Sequence, residues 1–227
     1  MPRESQHARA SRAVEVLDRL GRAMPDAHIE LDHRSAYELL VAVILAAQCT
    51  DKRVNLVTPQ LFARFPDARA LAAARRPELE RLIRSCGFFR AKARALKGMA
   101  EALVADHGGQ VPSARAELAT LPGVGNKTAG VVAVHVGGDP AFPVDTHVRR
   151  LSRRLGFTRN LDPDRIEEDL QALVPKERWA TGHQLLVWHG RRTCFARKPA
   201  CDRCVVGDLC PRIGVSARGR RPPAAAP

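Results

Sequence analysis

The stretch Leu121–Gly130, which reads LPGVGNKTAG, constrains the fold more than any other part of the chain. Pro122 fixes its own φ, and two glycines one residue apart cannot continue a helix cheaply, so the first half is predicted to be a tight turn. A new helix opens in the second half. Backbone N–H groups at a turn and helix start have no partner inside the helix and can hold an anion, most naturally a phosphate. The sequence therefore predicts DNA-backbone contacts from Gly123, Val124 and Gly125.

Lys127 and Asp145 are the candidate catalytic residues. A lysine in the first turn of a helix lies in a positive field, which favours its neutral, nucleophilic amine. Asp145, in the VDTH segment Val144–His147, offers a carboxylate further along the chain. Glycine turn, lysine and aspartate together suggest covalent chemistry beside a DNA backbone. From position alone, Lys127 could equally be a solvated phosphate-binding lysine, and Asp145 could be a helix N-cap or serve both roles.

The balance of charge points to a polyanionic partner. The chain has 37 Lys and Arg against 24 Asp and Glu, a net charge of +13, and its pI is about 10.5. A solvated basic surface or a basic tail is the alternative, but Arg218–Arg221 holds only three of the arginines. Nucleic acid is therefore the favoured interpretation. Aromatic residues make up only 4% of the chain, which argues against an extended base-stacking platform.

The sequence carries no sign of a membrane or a secretory route. No apolar run reaches about 18 residues, and the polar start MPRESQHARASR is no signal peptide. We therefore expect a cytoplasmic, nucleoid-associated protein. Thiols stay reduced in that compartment, so the six cysteines need another explanation than disulfides.

Four of those cysteines fall in one short loop near the C-terminus, separated by six, two and five residues: Cys194, Cys201, Cys204 and Cys210. Four thiolates could hold a tetrahedral zinc or a cubane iron–sulfur cluster. Zinc ribbons usually present two C-x-x-C knuckles, whereas this loop has one, and compact wrapping by a single loop suits a cluster larger than one ion. Cys49 and Cys86 are predicted to be core thiols rather than ligands.

Helical periodicity runs through the chain and predicts an all-α fold, because no alternating strand pattern is found. Val131–Val136 is β-branched and could be misread as a strand, but its place directly after the turn favours a helix. Asp67 and Ser113 are predicted helix caps. Residues 1–12 and 216–227 are predicted to be disordered tails. The principal predicted helices are 13–20, 37–48, 52–65, 77–86, 126–136, 145–156, 163–174 and 181–191. A further helix is predicted to run from the Phe88–Arg90 junction through Leu96, Met99 and Leu103 to Gly108.

Taken together, these motifs resemble the endonuclease III family of base-excision DNA glycosylases. The resemblance also covers LAAQCTDKRVN at Leu45–Asn55 and HGRRTCFARKPACDRC at His189–Cys204. It implies an all-α, two-lobed helix-hairpin-helix fold, with a six-helix barrel at residues 29–139 and a cluster lobe made of residues 13–28 and 140–215. It also implies a [4Fe-4S] cluster, held by the four loop cysteines. The implied partner is double-stranded DNA containing oxidised pyrimidines or abasic sites, bound by a monomer.

The resemblance further implies a bifunctional glycosylase and AP lyase. Lys127 would attack the sugar, release the oxidised pyrimidine and cleave the strand by β-elimination through a Schiff base, with Asp145 accepting the proton. Gln48 would contact the orphaned base. The turn with Phe88 and Arg90 would supply a wedge that fills the hole in the duplex. Asp51 and His147 would line the base pocket, although a cap or surface role is equally open for both.

Some residues depart from the family pattern. Asn126 stands where a basic residue is usual and removes a possible phosphate contact, and Gly130 stands where Asn is common and weakens the helix by about 1 kcal/mol. Two rival functions remain at this level. An A/G-mismatch adenine glycosylase shares the fold but lacks a lysine at the Lys127 position and carries a catalytic Glu where this chain has Val43. A non-catalytic helix-hairpin-helix DNA-binding module would have no need of the carboxylate of Asp145.

Overall fold

The computed structural model describes residues 4–215. Within that range the protein consists of eleven α-helices joined by loops and short 3-10 turns, with no strand, so the predicted all-α class is confirmed. The predicted tail 216–227 lies outside the described residues. The helices are α1 Gln6–Ala23, α2 Ala36–Ala46, α3 Asp51–Arg64, α4 Ala68–Ala72, α5 Arg76–Leu82, α6 Phe89–Asp106, α7 Arg115–Thr120, α8 Asn126–His135, α9 Thr146–Arg154, α10 Pro163–Leu173 and α11 Trp179–Arg192.

Contacts between residues divide the protein into two compact units. The hairpin unit is Ile29–Asp139 and contains α2 to α8, which is seven α-helices where the resemblance implies six. The cysteine unit consists of the described residues on either side, 4–28 and 140–215, and contains α1 and α9 to α11.

The core of the hairpin unit is organised around α2, whose sequence AYELLVAVILA is apolar on every face. Residues on all sides of this helix are buried, among them Leu40 and Leu45, and the helix packs against α3, α6 and α8. Each fully buried leucine contributes about 2 kcal/mol through removal of apolar surface from water. The helix ends at Ala46, so that Gln48 falls in the loop before α3.

The core of the cysteine unit is built from α1, α9, α10 and α11 around Phe142 and Phe157, which are fully buried. Gly182 lies where α11 approaches its neighbours closely. A methyl group added there would lie 3.1 Å from both Leu17 and Phe142. No helix of the described part of the chain is long and apolar enough to cross a membrane.

The prediction of a disordered start is wrong for the residues that the structure describes, because α1 already begins at Gln6. The side chain of Ser5 caps the helix by accepting from the Ala8 N–H. The guanidinium of Arg12 then fixes this polar first part by donating to the carbonyls of Leu155, at 2.7 Å, and Leu209, at 3.1 Å. These anchors are polar, so a search for apolar periodicity does not detect them.

Two further sequence predictions concern helix ends and type. Asp67 caps α4 as predicted, through a hydrogen bond from the Ala70 N–H. Ser113 does not cap α7, which starts after Ala114 without any side-chain cap. The β-branched run after Gly130 is helical to His135, as predicted.

Candidate active site and metal centre

The glycine turn connects α7 and α8, and its shape depends on Gly123. This residue has φ +78°, a left-handed conformation that L side chains rarely adopt. A Cβ at this position would also lie 2.5 Å from the Cβ of Ala95 on α6. Gly123 is therefore required both by the backbone conformation and by the close approach of the turn to α6.

Gly125 has a different reason for being glycine. It is the N-cap of α8 with φ −83°, an ordinary value, and α8 has no side-chain cap. A methyl group added at Gly125 would enter open space, with no atom of the described residues within 4 Å. The N–H groups of the first helical turn, which have no intrahelical acceptor, thus border an uncrowded surface at the positive end of a helix.

Val124 does not fit the predicted role as a DNA contact. Its N–H donates to the carbonyl of Leu121 at 3.0 Å and closes the turn, and its side chain is buried in the core. The sequence indicates a turn at these three residues but does not show which of them faces the core. The exposed members are Gly123 and Gly125.

Lys127 is the second residue of α8 and is exposed, so its amine lies in the first turn of an uncapped helix as predicted. Asn126, directly before it, accepts a hydrogen bond from Nε of Arg115 at 3.2 Å. A cation therefore remains at the start of α8, although Asn126 itself is neutral.

Asp145 is the N-cap of α9. Its Oδ1 accepts from the Val148 N–H at 2.7 Å, and the side chain is half-buried. The cap role that the sequence left open is thus present, and it holds the carboxylate in one rotamer. Asp145 belongs to the cysteine unit and Lys127 to the hairpin unit.

His147, two residues after Asp145, packs over Gly190 of α11, where an added methyl group would lie 2.8 Å from the His147 Nδ1. That nitrogen is 3.1 Å from the guanidinium of Arg150. Because a guanidinium can only donate, Nδ1 accepts, and the proton of the neutral ring is on Nε2. Arg150 also donates to the carbonyls of Gly190 and Cys194, and burial lowers its pKa. The predicted pocket roles of His147 and Asp51 stay predictions.

The two predicted DNA-probing loops have unusual backbones. Gln48 is exposed and has φ +53°, and Phe88 has φ +45° with 67% of its surface exposed. Non-glycine residues in this region cost on the order of 1–3 kcal/mol each and cluster at functional sites. Asp51 lies in the first turn of α3, where its negative charge faces the positive helix end.

Only one of the two adjacent phenylalanines is exposed. Phe89 packs against the core of the hairpin unit, whereas Phe88 points away from it. The guanidinium of Arg90 lies 5.4 Å from the centre of the Phe89 ring and is exposed. The turn therefore offers one free aromatic side chain and one cation.

The four cysteines of the C-terminal loop line a single cavity together with His189 and Arg154. No three His, Cys, Asp or Glu side chains within residues 4–215 are grouped closely enough to hold one metal ion. Four thiols around a shared cavity are the donor set of a multi-iron cluster, so the residues present fit a [4Fe-4S] group.

Hydrogen-bond donors surround these sulfurs. The Arg154 guanidinium donates to Cys194 Sγ at 3.2 Å, the Arg212 N–H donates to Cys210 Sγ at 3.4 Å, and His189 Nε2 lies 3.4 Å from Cys204 Sγ. Such donors stabilise negative charge on thiolates. Burial, with a smaller contribution from the neighbouring thiols, raises the pKa of Cys204 to about 11, and burial also raises the pKa of Cys210. The thiolate form at these two positions therefore depends on a cationic group in the cavity.

Sequence reasoning missed Lys92, Arg150, Arg154 and His189. A signal existed for Lys92, because it lies on the same helical stripe as the buried residues Leu96, Met99 and Leu103. His189 begins the motif at His189–Cys204, and Arg150 and Arg154 lie in the predicted helix 145–156. The contacts of all three are with the C-terminal part of the chain and leave no local pattern in the sequence.

The chain matches two family models. The family model described as "HhH-GPD superfamily base excision DNA repair protein" matches residues 41–176, and that described as "Iron-sulfur binding domain of endonuclease III" matches residues 194–210. Endonuclease III of Synechocystis is 50% identical over 210 residues, which is 92% of this chain and 96% of that protein. The chain belongs to the endonuclease III family. It is a base excision repair enzyme of the DNA glycosylase and AP lyase type, and its cofactor is a [4Fe-4S] cluster.

Other similarities extend over most of the chain. Endonuclease III of Escherichia coli strain K12 is 38% identical over 200 residues, which is 88% of this chain and 95% of that protein. Two solved structures, a non-covalent endonuclease III–DNA complex and a trapped endonuclease III–DNA covalent intermediate, each match with a TM-score of 0.85 and 43% identity. Each match covers 89% of this chain, and 95% and 96% of the respective solved chains.

Proposed function

We propose that this protein excises oxidised pyrimidines from double-stranded DNA and then cleaves the strand at the abasic site, acting as a monomer. The observation that carries the proposal is Lys127, an exposed amine in the first turn of a helix whose N-terminus has no side-chain cap. The same helix end offers backbone N–H groups to a phosphate. The net charge of +13 supports a polyanionic partner.

In the proposed reaction, the damaged nucleotide leaves the base stack, because its sugar cannot be attacked inside a duplex. The neutral amine of Lys127 attacks C1′, the glycosidic bond breaks, and the base leaves with its bonding electrons and takes up a proton. Asp145 accepts the proton that the amine loses and stabilises positive charge on the sugar.

The opened sugar is then joined to Lys127 as a Schiff base, in which the positive nitrogen acidifies the protons on C2′. Loss of one C2′ proton expels the 3′ phosphate by β-elimination, and water releases the lysine. The [4Fe-4S] cluster, when bound, supplies a covalent cross-link of the C-terminal loop. Gln48 and Phe88 occupy the space that the extruded nucleotide leaves, and Arg90, Gly123 and Gly125 contact the backbone.

A borohydride trapping assay tests the proposal. The probe is a duplex with one thymine glycol, because borohydride reduces a Schiff base to a stable amine and so links the protein to DNA. We expect a covalent complex with the wild-type protein. An adenine glycosylase or a non-catalytic binding module would leave the DNA uncross-linked, so the absence of a covalent complex would reject the proposed reaction.

A further inference from the structure

Lys92, near the start of α6, is a buried cation outside the proposed catalytic residues. Only 6% of its surface is exposed, and its ammonium donates to the carbonyls of Leu45 and Cys86, both at 2.8 Å. Burial lowers its pKa, while the nearby thiols of Cys49 and Cys86 act in the opposite direction. A buried ammonium is costly unless it is hydrogen-bonded, so two good acceptors are needed to keep it in place.

The two acceptors belong to different segments, and each segment leads into a residue with a left-handed backbone. Leu45 lies in the last turn of α2, three residues before Gln48, and Cys86 ends a 3-10 turn two residues before Phe88. Carbonyls at such helix ends have no intrahelical donor and carry partial negative charge. One ammonium therefore satisfies both helix ends and ties them together.

Further contacts strengthen this link. The Lys92 N–H donates to the carbonyl of Phe88 at 3.0 Å, so that backbone and side chain of one residue both hold the same loop. Burial raises the pKa of the Cys86 thiol, and the neighbouring Cys49 thiol raises it further, so the two segments also lie side by side at these thiols. A non-glycine residue stays at positive φ only where the surrounding structure determines its conformation. Lys92 is one such determinant, and it reaches the segments that lead into both Gln48 and Phe88.

We propose that Lys92 is a positioning residue that holds the Gln48 loop and the Phe88 loop in one fixed arrangement, and thereby sets how the enzyme engages the base opposite the damaged nucleotide. The inference rests on the proposed function for the roles of Gln48 and Phe88. Lys92 itself touches neither base nor sugar; its effect passes through the two loops.

The same helix offers a matched control. Lys97 also donates its ammonium to two carbonyls, those of Ala72 at 2.6 Å and Ala74 at 3.2 Å, and forms an ion pair with Glu101. Its acceptors lie at the end of α4 and just after it, away from both loops. Lys97→Met therefore removes a comparable anchor of α6 and leaves Gln48 and Phe88 untouched.

The first experiment needs no DNA. Cys86 is buried, at 1% exposed, beneath the Phe88 loop, so its reaction with a thiol reagent reports opening of that loop. The rate is measured by peptide mass spectrometry on the cluster-loaded protein, with the cluster's visible absorbance as a control for integrity. We expect labelling at least about tenfold faster in Lys92→Met than in wild type or Lys97→Met. Equal rates in the two variants would overturn the proposal. Lys92→Gln, which keeps a donor at shorter reach, replaces Lys92→Met if the latter does not fold.

The second experiment reads the loops on DNA. The probe is a duplex with a tetrahydrofuran abasic analogue opposite 2-aminopurine, whose fluorescence reports its stacking, measured at saturating protein. Wild type and Lys97→Met should give the same change, and Lys92→Met a much smaller one. Base release at saturating substrate should fall about tenfold or more in Lys92→Met, because small misplacements of positioning groups are costly.

A double variant separates the inference from the proposed function. If Lys92 acts through Gln48, adding Lys92→Met to Gln48→Ala should change the fluorescence and the rate little further. Full additivity would overturn the positioning role while leaving the proposed function intact. A Gln48→Ala protein that behaves as wild type on DNA would instead remove the proposed role of the loop, and the inference with it, whatever the rate of Cys86 labelling.

Discussion

Substitution by alanine should have different effects at the two glycines of the turn: a loss of stability at Gly123 and a loss of DNA affinity at Gly125. Gly123→Ala places a Cβ in a left-handed backbone, which costs about 1–2 kcal/mol, and 2.5 Å from the Ala95 Cβ, an overlap that costs about 1–3 kcal/mol more. The expected loss is about 2–5 kcal/mol out of a net stability of about 5–15 kcal/mol. For a protein of this size, that lowers Tm by several degrees or more.

Gly125→Ala should leave stability almost unchanged. Its φ of −83° suits alanine, and the new methyl group meets open space. Alanine is a poorer N-cap than glycine by a few tenths of a kcal/mol to about 1 kcal/mol, and the stiffer unfolded chain returns about 0.4–1 kcal/mol. The methyl group does, however, stand in front of the N–H groups proposed to hold a phosphate.

A loss of DNA affinity without a loss of stability should therefore appear at Gly125. Losing one hydrogen bond to a charged acceptor costs about 1.5–3 kcal/mol, which is about 10- to 150-fold in affinity. Because the contact is to the backbone, the loss should be equal for damaged and undamaged duplex. Thermal unfolding and fluorescence anisotropy at fixed salt measure both quantities. Gly125→Ala binding with wild-type affinity, or unfolding as early as Gly123→Ala, would refute the assignment of the turn to phosphate binding.

The remaining predictions concern chemistry, cofactor and pH. Lys127→Ala and Lys127→Gln should keep the fold and most DNA affinity but lose base release together with strand cleavage; base release that persists without strand cleavage would mean that water is the nucleophile. Asp145→Asn, which can still cap α9, should lower turnover by a factor of roughly a hundred or more in a single-turnover assay and weaken binding little; near-normal turnover would leave Asp145 with the cap alone. Purified protein should contain iron and sulfide, and Cys201→Ala should lose solubility, because loss of a metal site removes folding free energy; equimolar zinc without iron in protein made with iron available would contradict this. Burial lowers the pKa of His135, so the neutral ring is favoured in the folded state; its contribution to stability is complete above its ordinary pKa of about 6.5 and is lost as pH falls below that value. Denaturant unfolding from pH 7 to 5 should show a smaller decline in His135→Gln than in wild type.

The fold class could be predicted because an α-helix leaves a local pattern of apolar residues and end signals in the sequence. The unbroken apolar run predicted α2, apolar spacing predicted α3, and the glycine turn identified the start of α8 in spite of the β-branched run after Gly130. The beginning of α1 was missed because its stability comes from Arg12 and from carbonyls more than 140 residues away in the chain. A contact of that kind leaves no periodic trace in the sequence.

The candidate site was predictable to the extent that a motif fixes both a residue and its local backbone. Lys127 and Asp145 lie at helix starts, as the glycine turn and the VDTH segment indicate. Val124 was misplaced because whether a turn residue faces inward depends on what lies beneath the turn. Lys92 was missed for the same reason. A lysine is predicted to be exposed even on an apolar stripe, unless the two carbonyls that accept from its ammonium are known.

Helix α6 supports most of the proposed DNA-contacting parts of the hairpin unit. Ala95 of this helix packs directly against Gly123 of the turn. Gly98 lets Pro122 approach the helix, since a methyl group at Gly98 would lie 3.2 Å from the Pro122 Cβ. Lys92, one turn earlier, holds the segments that lead to Gln48 and Phe88. Small residues on one part of the helix thus fix the phosphate-binding turn, and a long cation on another fixes the base-probing loops. Because a helix is rigid over this length, the two functions keep a constant spacing, which is what an enzyme needs when it must hold the strand and fill the vacated stack at the same time.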